Sequence, residues 1–431
     1  MAEGIIEVPG QGKGKLVYPG SGILTGSVGT DARVRRVSPL QQVKNAYAKV
    51  LYMRADDTMI IDYVMSVYTA MLHPQLLELV WGYIIRPASS GKTEALRIFN
   101  DWHKCIGIDE PTAAAFQSAY VSETGEDMSL LLQLPGKMLI IKDMSILMQS
   151  RMGEAAKIMS VLRSAHDQYT AKASGTLGVK EYKAMFGLLI ATTDVVDAFT
   201  EQNQQLGERL VAFRINRTTL DLDQRQFMLD RAEELGGDKE LKRAQIRATA
   251  HEQFDVIQRG CMERSGVDGL PRVPEDIRKR VKRAGDLLAV LRTCPVAGVG
   301  GQSEMGYRVV AQLMNLGYGH AIADGRKEWD QSDVDLVMRV IFDTLAKVRS
   351  RVLYGMFMRG KQRHGESLEQ IAKRAKTIPP KVAEMFVQFI HSGIVECISD
   401  GYSTPLFKLS AHFYHAIDRC GFFDGRPRLG D

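Results

Sequence analysis

The stretch WGYIIRPASSGKTEALRIF, residues 81–99, constrains this chain more than any other. An apolar run enters a loop of small residues that closes on Gly91, Lys92 and Thr93, and a helix-forming sequence follows at once. Such a turn aims loop amides and the start of a helix at one point, where an anion is favoured. With a lysine and a hydroxyl residue closing the loop, the fitting anion is a polyphosphate. Lys92 would reach the β- and γ-phosphates and the Thr93 hydroxyl would ligate Mg²⁺. The full spacing G-x-x-x-x-G-K-[ST] asks for glycine at its first position, and Arg86 stands there instead. A bare Gly-Lys-Thr also arises by chance, but the strand before it, the helix after it, and Ser89 and Ser90 inside the loop all sit where phosphate chemistry needs them.

Around this loop, apolar runs at residues 77–85, 137–141, 186–192 and 209–215 alternate with helical sequence. Short runs without polar interruption are the mark of parallel strands covered on both faces, so the expected class is a three-layer α/β domain. Three strand ends then carry chemistry. Asp143 ends the run at 137–141, either holding the metal or, with Lys142 in the metal-side place, activating water. Thr192 and Thr193 end the next and suit contact with the γ-phosphate or the attacking water. Arg209 opens the last and Arg214 lies near its end; an arginine there would neutralise transition-state charge on a neighbouring subunit's nucleotide. Glu94, Glu110 and Glu123 compete for the role of base.

The remaining chain divides by pattern. Residues 1–55 are an N-terminal extension, glycine-rich over the first forty, and a helix is expected from 39 to about 54. In the following helix, Ile60, Tyr63, Val64, Val67 and Met71 mark one buried face. Residues 56–220 form the core with the phosphate loop, 221–342 a helical lid region, and 343–431 a module whose order of helix, helix, turn, helix and hairpin is that of a winged helix. The hairpin turn is expected at Ser399, Asp400 and Gly401, and a glycine hinge at Gly298, Gly300 and Gly301.

Charge is distributed unevenly. Net charge is only +5, yet residues 272–283 carry +4 and residues 349–376 carry +6, which leaves the rest of the chain negative. A polyanion is thus expected at the C-terminal module, with DNA contacted by Arg363, Lys373, Arg374, Lys376, Lys381 and Lys408. In the helix at 379–391, Lys381, Glu384, Gln388 and His391 are the side chains expected to face a groove. The bland alternative is a protein-contact module with a solvated charged face.

Other classes are disfavoured. Five scattered cysteines without a CxxC pair give no disulfide framework or cysteine zinc site. The histidines lack partners at metal-ligand spacing. The most apolar segment, 59–72, is interrupted by Asp62 and falls short of the about 18–20 residues needed to cross a bilayer. The first fifteen residues do not read as a signal peptide. A soluble cytoplasmic protein is expected.

With SSGKTE, KMLIIKDMSILM, ATTD and LGERLVAFRI in this order, the chain resembles the AAA+-type P-loop ATPases of bacteriophages and mobile elements, which commonly end in a winged helix and are often described as replication or helicase-like proteins. The segment 302–326 is similar to their lid. The resemblance implies ATP and Mg²⁺ as cofactors and a nucleotide set of Ser89, Ser90, Gly91, Lys92, Thr93 and Glu94. It further implies metal or water contact at Asp143, sensing at Thr193, a trans arginine at Arg209, and a second sensor at Arg308 or Arg292. A hexameric, DNA-associated helicase or replication initiator in a bacterial or phage-infected cell follows as the expectation. The alternatives are a winged-helix regulator gated by nucleotide with slow or no turnover, and an ATPase that remodels protein partners.

Overall fold

The run at residues 81–85 is buried along its whole length, as a strand covered on both faces must be. The computed structural model describes residues 37–50, 55–87, 92–118, 122–124, 126–174, 178–203, 209–215, 236–263, 269–292, 305–359, 365–398 and 404–426, with single positions between 226 and 233. In chain order the elements are α1 (Pro39–Val50), α2 (Ala55–Leu72), β1 (Trp81–Ile85), α3 (Lys92–Leu96), β2 (Cys105–Ile108), α4 (Ala113–Phe116), α5 (Leu130–Gln133), β3 (Met138–Ile141), α6 (Ser145–Ser150), α7 (Met152–His166), β4 (Tyr169–Ser174), β5 (Gly178–Lys183), β6 (Gly187–Thr192), α8 (Val195–Gln202) and β7 (Leu210–Arg214). There follow α9 (Lys239–Glu263), α10 (Glu275–Arg292), α11 (Tyr307–Ala323), α12 (Gln331–Thr344), α13 (Lys347–Arg359), α14 (Leu368–Ala375), α15 (Pro379–His391), β8 (Val395–Ile398), β9 (Leu406–Leu409) and α16 (Ala411–Cys420).

Five strands form one parallel sheet in the order β2-β3-β6-β1-β7. Alternation sends Trp81, Tyr83, Leu188, Ile190 and Leu210 to a core shared with α6, α7 and α8. The opposite face buries Ile84, Met138, Leu189, Val211 and Phe213 under α2 and the later helices. Helices on both faces give the α/β layering that the sequence pattern implies.

Helix α2 departs from the single buried face expected of it. Every residue from Ile60 to Ala70 is buried, because the helix lies between the sheet and α11. Two glycines permit this depth. A Cβ on Gly82 would stand 2.0 Å from the Tyr63 hydroxyl, which donates to the Val211 carbonyl at 2.8 Å. A Cβ on Gly319 would stand 2.2 Å from the Ser66 carbonyl oxygen, so only glycine lets α11 cross α2 this closely. At the same crossing the His320 Nδ1 lies 2.7 Å from Asp333 and its Nε2 3.8 Å from Asp62, while Arg326 pairs with Asp333 and Lys44 with Asp62.

The outer strand β7 is finished by side chains. The Ala212 amide donates to Thr344 Oγ1 at 2.9 Å, the Arg214 amide to Asp343 Oδ2 at 2.8 Å, and Arg339 donates to the Arg214 carbonyl at 2.6 Å. These groups come from α12 or the end of it, which packs along the strand.

Strand and helix positions largely follow the pattern, with informative exceptions. The helix expected from 343 begins at Lys347, because Leu345 takes an extended conformation (φ −69, ψ 140) and ends α12. In the C-terminal module, Ser367 caps α14 in a reciprocal capping box, Lys376 closes it in the left-handed conformation, and Pro379 opens α15. Strands β8 and β9 pair antiparallel, and Glu366 bridges to Phe407 beside them. Neither β2 nor the antiparallel hairpin β4–β5 was expected. No helix among the described residues is long and apolar enough to cross a membrane. The glycine-rich start, the hinge at Gly298, Gly300 and Gly301 and the turn at Ser399, Asp400 and Gly401 lie outside the described residues.

Candidate functional site

Register brings three strand ends level. Ile85 pairs with Thr192, and Ile141 with Ile190, so the residues after β1, β6 and β3 emerge side by side at the carboxyl edge of the sheet. Adjacent strands lie about 4.8 Å apart, which sets the acid of β3 about 10 Å from the loop of β1. The Arg86 amide donates to the Thr192 carbonyl at 3.1 Å, so the departure from β1 is fixed to β6. Arg86 itself is buried where the spacing pattern asks for glycine.

The end of β3 is equally fixed. The Met144 amide donates to Ala191, and the Thr193 amide donates to Ser145 Oγ at 3.0 Å, tying β3 to β6. Asp143 is exposed and its Oδ1 accepts the Ser145 amide at 2.8 Å. Lys142 turns the other way, 3.2 Å from Asp109 at the end of β2. The two threonines separate. Thr192 is fully buried with its hydroxyl 3.7 Å from Met148 Sδ, whereas Thr193 is half-buried at the rim.

Ser89, Ser90 and Gly91, and the side chain of Lys92, lie outside the described residues, as does Arg363. Thr93 is half-buried near the start of α3, which is short and passes into a 3₁₀ turn over Arg97–Phe99. Glu94 is committed to structure. It pairs with Arg97 at 3.2 Å and with Arg243 of α9, and its carbonyl accepts the Tyr47 hydroxyl at 2.8 Å. Of the three carboxylates weighed as base, Glu110 and Glu123 stand exposed.

The arginines divide between the two edges of the sheet. Arg214, at the carboxyl edge, is buried among Asp197, Asp194 and the Asp343 carbonyl of its own chain. Arg209 lies at the amino edge, one strand length from the loop, with side-chain exposure of 10%. Arg308, implied as a second sensor, lies at that amino edge too, 3.6 Å from Glu78 and 3.4 Å from Asp167. Beside them His166 is buried against Trp81, and burial lowers its pKa to about 4.

The basic residues nominated for DNA behave unequally. Lys373 and Lys376 are exposed. Arg374 pairs with Glu366, Lys408 lies 3.1 Å from Glu396, and Lys381 lies 3.8 Å from Glu201 of α8. Gln388, expected to face a groove, accepts from Arg349 at 2.9 Å instead. Helix α15 thus docks one side on the core, leaving Glu384, Val387, Ile390 and His391 outward. The hairpin β4–β5 was missed as a candidate surface. It carries Lys172, Lys180 and Lys183 with exposed Tyr169 and Val179, and its strict alternation before two close glycines was the available signal.

No protein-family model matches this chain, and no curated protein matches it in sequence.

Proposed function

We propose that the protein is a Mg²⁺-dependent nucleoside triphosphatase of the P-loop type, acting on ATP in association with DNA. One observation carries this reading: the loop that closes on Lys92 and Thr93, the carboxylate of Asp143 and the hydroxyl of Thr193 leave adjacent parallel strands at one edge. Ligands of open parallel sheets bind outside the carboxyl ends of the strands. Lys92 would neutralise the β- and γ-phosphates, Thr93 would ligate the cation, and Asp143 would hold it through water or orient the attacking water. Thr193, just past the end of the strand between, would contact the terminal phosphate or the attacking water. Bound Mg²⁺ would supply charge neutralisation on the transferring phosphoryl group.

Arg209, at the opposite edge, suits service to a neighbouring copy, so a closed ring such as a hexamer is the assembly in which each site is complete. The C-terminal module, read as a winged helix, would contact duplex phosphates through Lys373 and Lys376. A second reading has support from α15, whose Val387 and Ile390, one turn apart, are both exposed: the module would then grip a protein.

Steady-state ATP hydrolysis without DNA, with single strands and with duplex tests the proposal, with Lys92→Ala as the control. Turnover lost in the variant and raised several-fold by single strands is the expected result. Turnover equal to the Lys92→Ala background in all three conditions would sink the hydrolase reading and leave a nucleotide-gated binding protein.

A further inference from the structure

Four charged side chains join the carboxyl edge of the sheet to the start of the C-terminal module. Asp194 follows Thr193 directly and caps α8, and Asp197 lies in the first turn of that helix. The Lys347 Nζ donates to Asp194 Oδ2 at 2.6 Å, and the Lys347 amide donates to Asp197 Oδ2 at 2.9 Å. Lys347 is the first residue of α13, so both bonds act on the start of the helix that leads into the module. Asp197 thus caps α13 from a different helix, taking up one of the amides that a helix start leaves without an internal partner.

Arg214 completes the junction. It ends β7 in register with Ile85, the last residue of the strand that feeds the phosphate loop. Its guanidinium pairs with Asp197 and stands 3.4 Å from Asp194, while its Nε donates to the Asp343 carbonyl at 2.6 Å, near the corner where α12 gives way to α13. The Asp343 carboxylate is matched separately by Arg339 at 2.7 Å. The pairs differ in burial. Arg214 and Asp197 are closed in, with side-chain exposures of 6% and 18%, whereas Lys347 and Asp194 stand 27% and 46% exposed. Water screens the second pair, so it adds little to stability and can part without unfolding the chain. It is also the pair that adjoins Thr193, whose amide is held to Ser145 Oγ beside Asp143.

We propose that Lys347 is a positioning residue that couples the phosphate site to the C-terminal module. Through Asp194 it ties the segment carrying Thr193 to the start of α13. A terminal phosphate drawn to Thr193 shifts the turn that begins α8, and the Lys347 bond passes that shift to α13. DNA on the module acts on Thr193 through the same bond in reverse. The proposal rests on the nucleotide and DNA readings above and adds the residue that joins them. Such coupling is reciprocal: the factor that nucleotide imposes on DNA affinity is the factor that DNA imposes on nucleotide affinity.

Paired titrations of the full chain test it, with the Mg²⁺ complex of a non-hydrolysable ATP analogue and a short DNA duplex as probes. In wild type the affinity for each probe is expected to change about fivefold or more when the other is saturating. Lys347→Met keeps the backbone bond to Asp197 and removes only the ammonium group. It should bind the analogue alone with wild-type affinity and melt at the wild-type temperature, yet lose the coupling. Lys347→Arg should restore most of it. An unchanged factor in Lys347→Met, or wild type that binds both probes independently, would overturn the coupling and leave the nucleotide reading intact. A lowered melting temperature with both affinities weakened in Lys347→Met would also overturn it, by making the lysine merely structural. Wild type that fails to bind one of the probes would overturn the corresponding reading and the coupling with it.

Discussion

The two edges of the parallel sheet face opposite electrostatic demands. In an α/β layer the helices following strands begin at the carboxyl edge and end at the amino edge, so the first gathers partial positive charge and the second negative. At the carboxyl edge the chain leaves Asp143 and Thr193 at the surface beside a loop of small residues. At the amino edge it collects cations: Arg163 in the last turn of α7, and Arg209 and Arg308 on Asp167. The carboxyl edge leaves its carboxylate and hydroxyl at the surface, whereas the amino edge pairs Arg209 and Arg308 with Asp167 and Glu78.

The largest effect that sharpens this contrast is expected from Asp143→Asn. Removing a charge from the proposed site should lower turnover about 10²–10³-fold, while the melting temperature stays put, since the carboxylate is exposed. A melt shifted by many degrees would break the comparison by making Asp143 structural. Next comes acid sensitivity at the amino edge. Because burial lowers the pKa of His166 to about 4, the unfolded chain takes up the proton more readily than the folded one. The stability this histidine supports is present above its unfolded pKa of about 6.5 and lost as pH falls from there toward 4, on the order of 3 kcal/mol. Urea midpoints across that range, flattened in His166→Gln, check it.

His320 should act with the opposite sign. Burial opposes its charge, but hydrogen bonds to Asp333 and Asp62 raise its pKa, so its contribution is full below the unfolded value and lost as pH rises through the folded one. Urea midpoints falling on the alkaline side in wild type, but not in His320→Gln, would confirm it. The smallest effect concerns a surface away from both edges. Lys373→Glu with Lys376→Glu should weaken duplex binding about tenfold and reduce the salt dependence by about two phosphate contacts. Binding that ignores both substitutions would favour the protein-gripping reading of α15.

Much of this layout is legible in the residues. Strands β1, β3, β6 and β7 announce themselves because a strand covered on both faces has no polar position to blur it. Strand β2 reads poorly, being four residues long and only partly buried, and β4 is easily passed over because it alternates on alanine rather than on large apolar residues. Arg209 is conspicuous as the opening of a strand, yet its partners are not. Asp167 and Arg308 stand 141 positions apart, and only the folding of α11 past the start of β1 joins them. Likewise Lys381 and Gln388 occupy helix positions that face a groove in isolation, and the docking of α15 on Glu201 and Arg349 removes them from it.

The closing of β7 by Thr344, Asp343 and Arg339 bears on how copies meet. A bare outer strand invites a neighbour to extend the sheet, and such a seam of main-chain bonds separates slowly and tolerates almost any sequence. Here those amides and that carbonyl already have partners within the chain. A second chain laid along this strand would find these groups already taken, so the sheet is not open to extension through them.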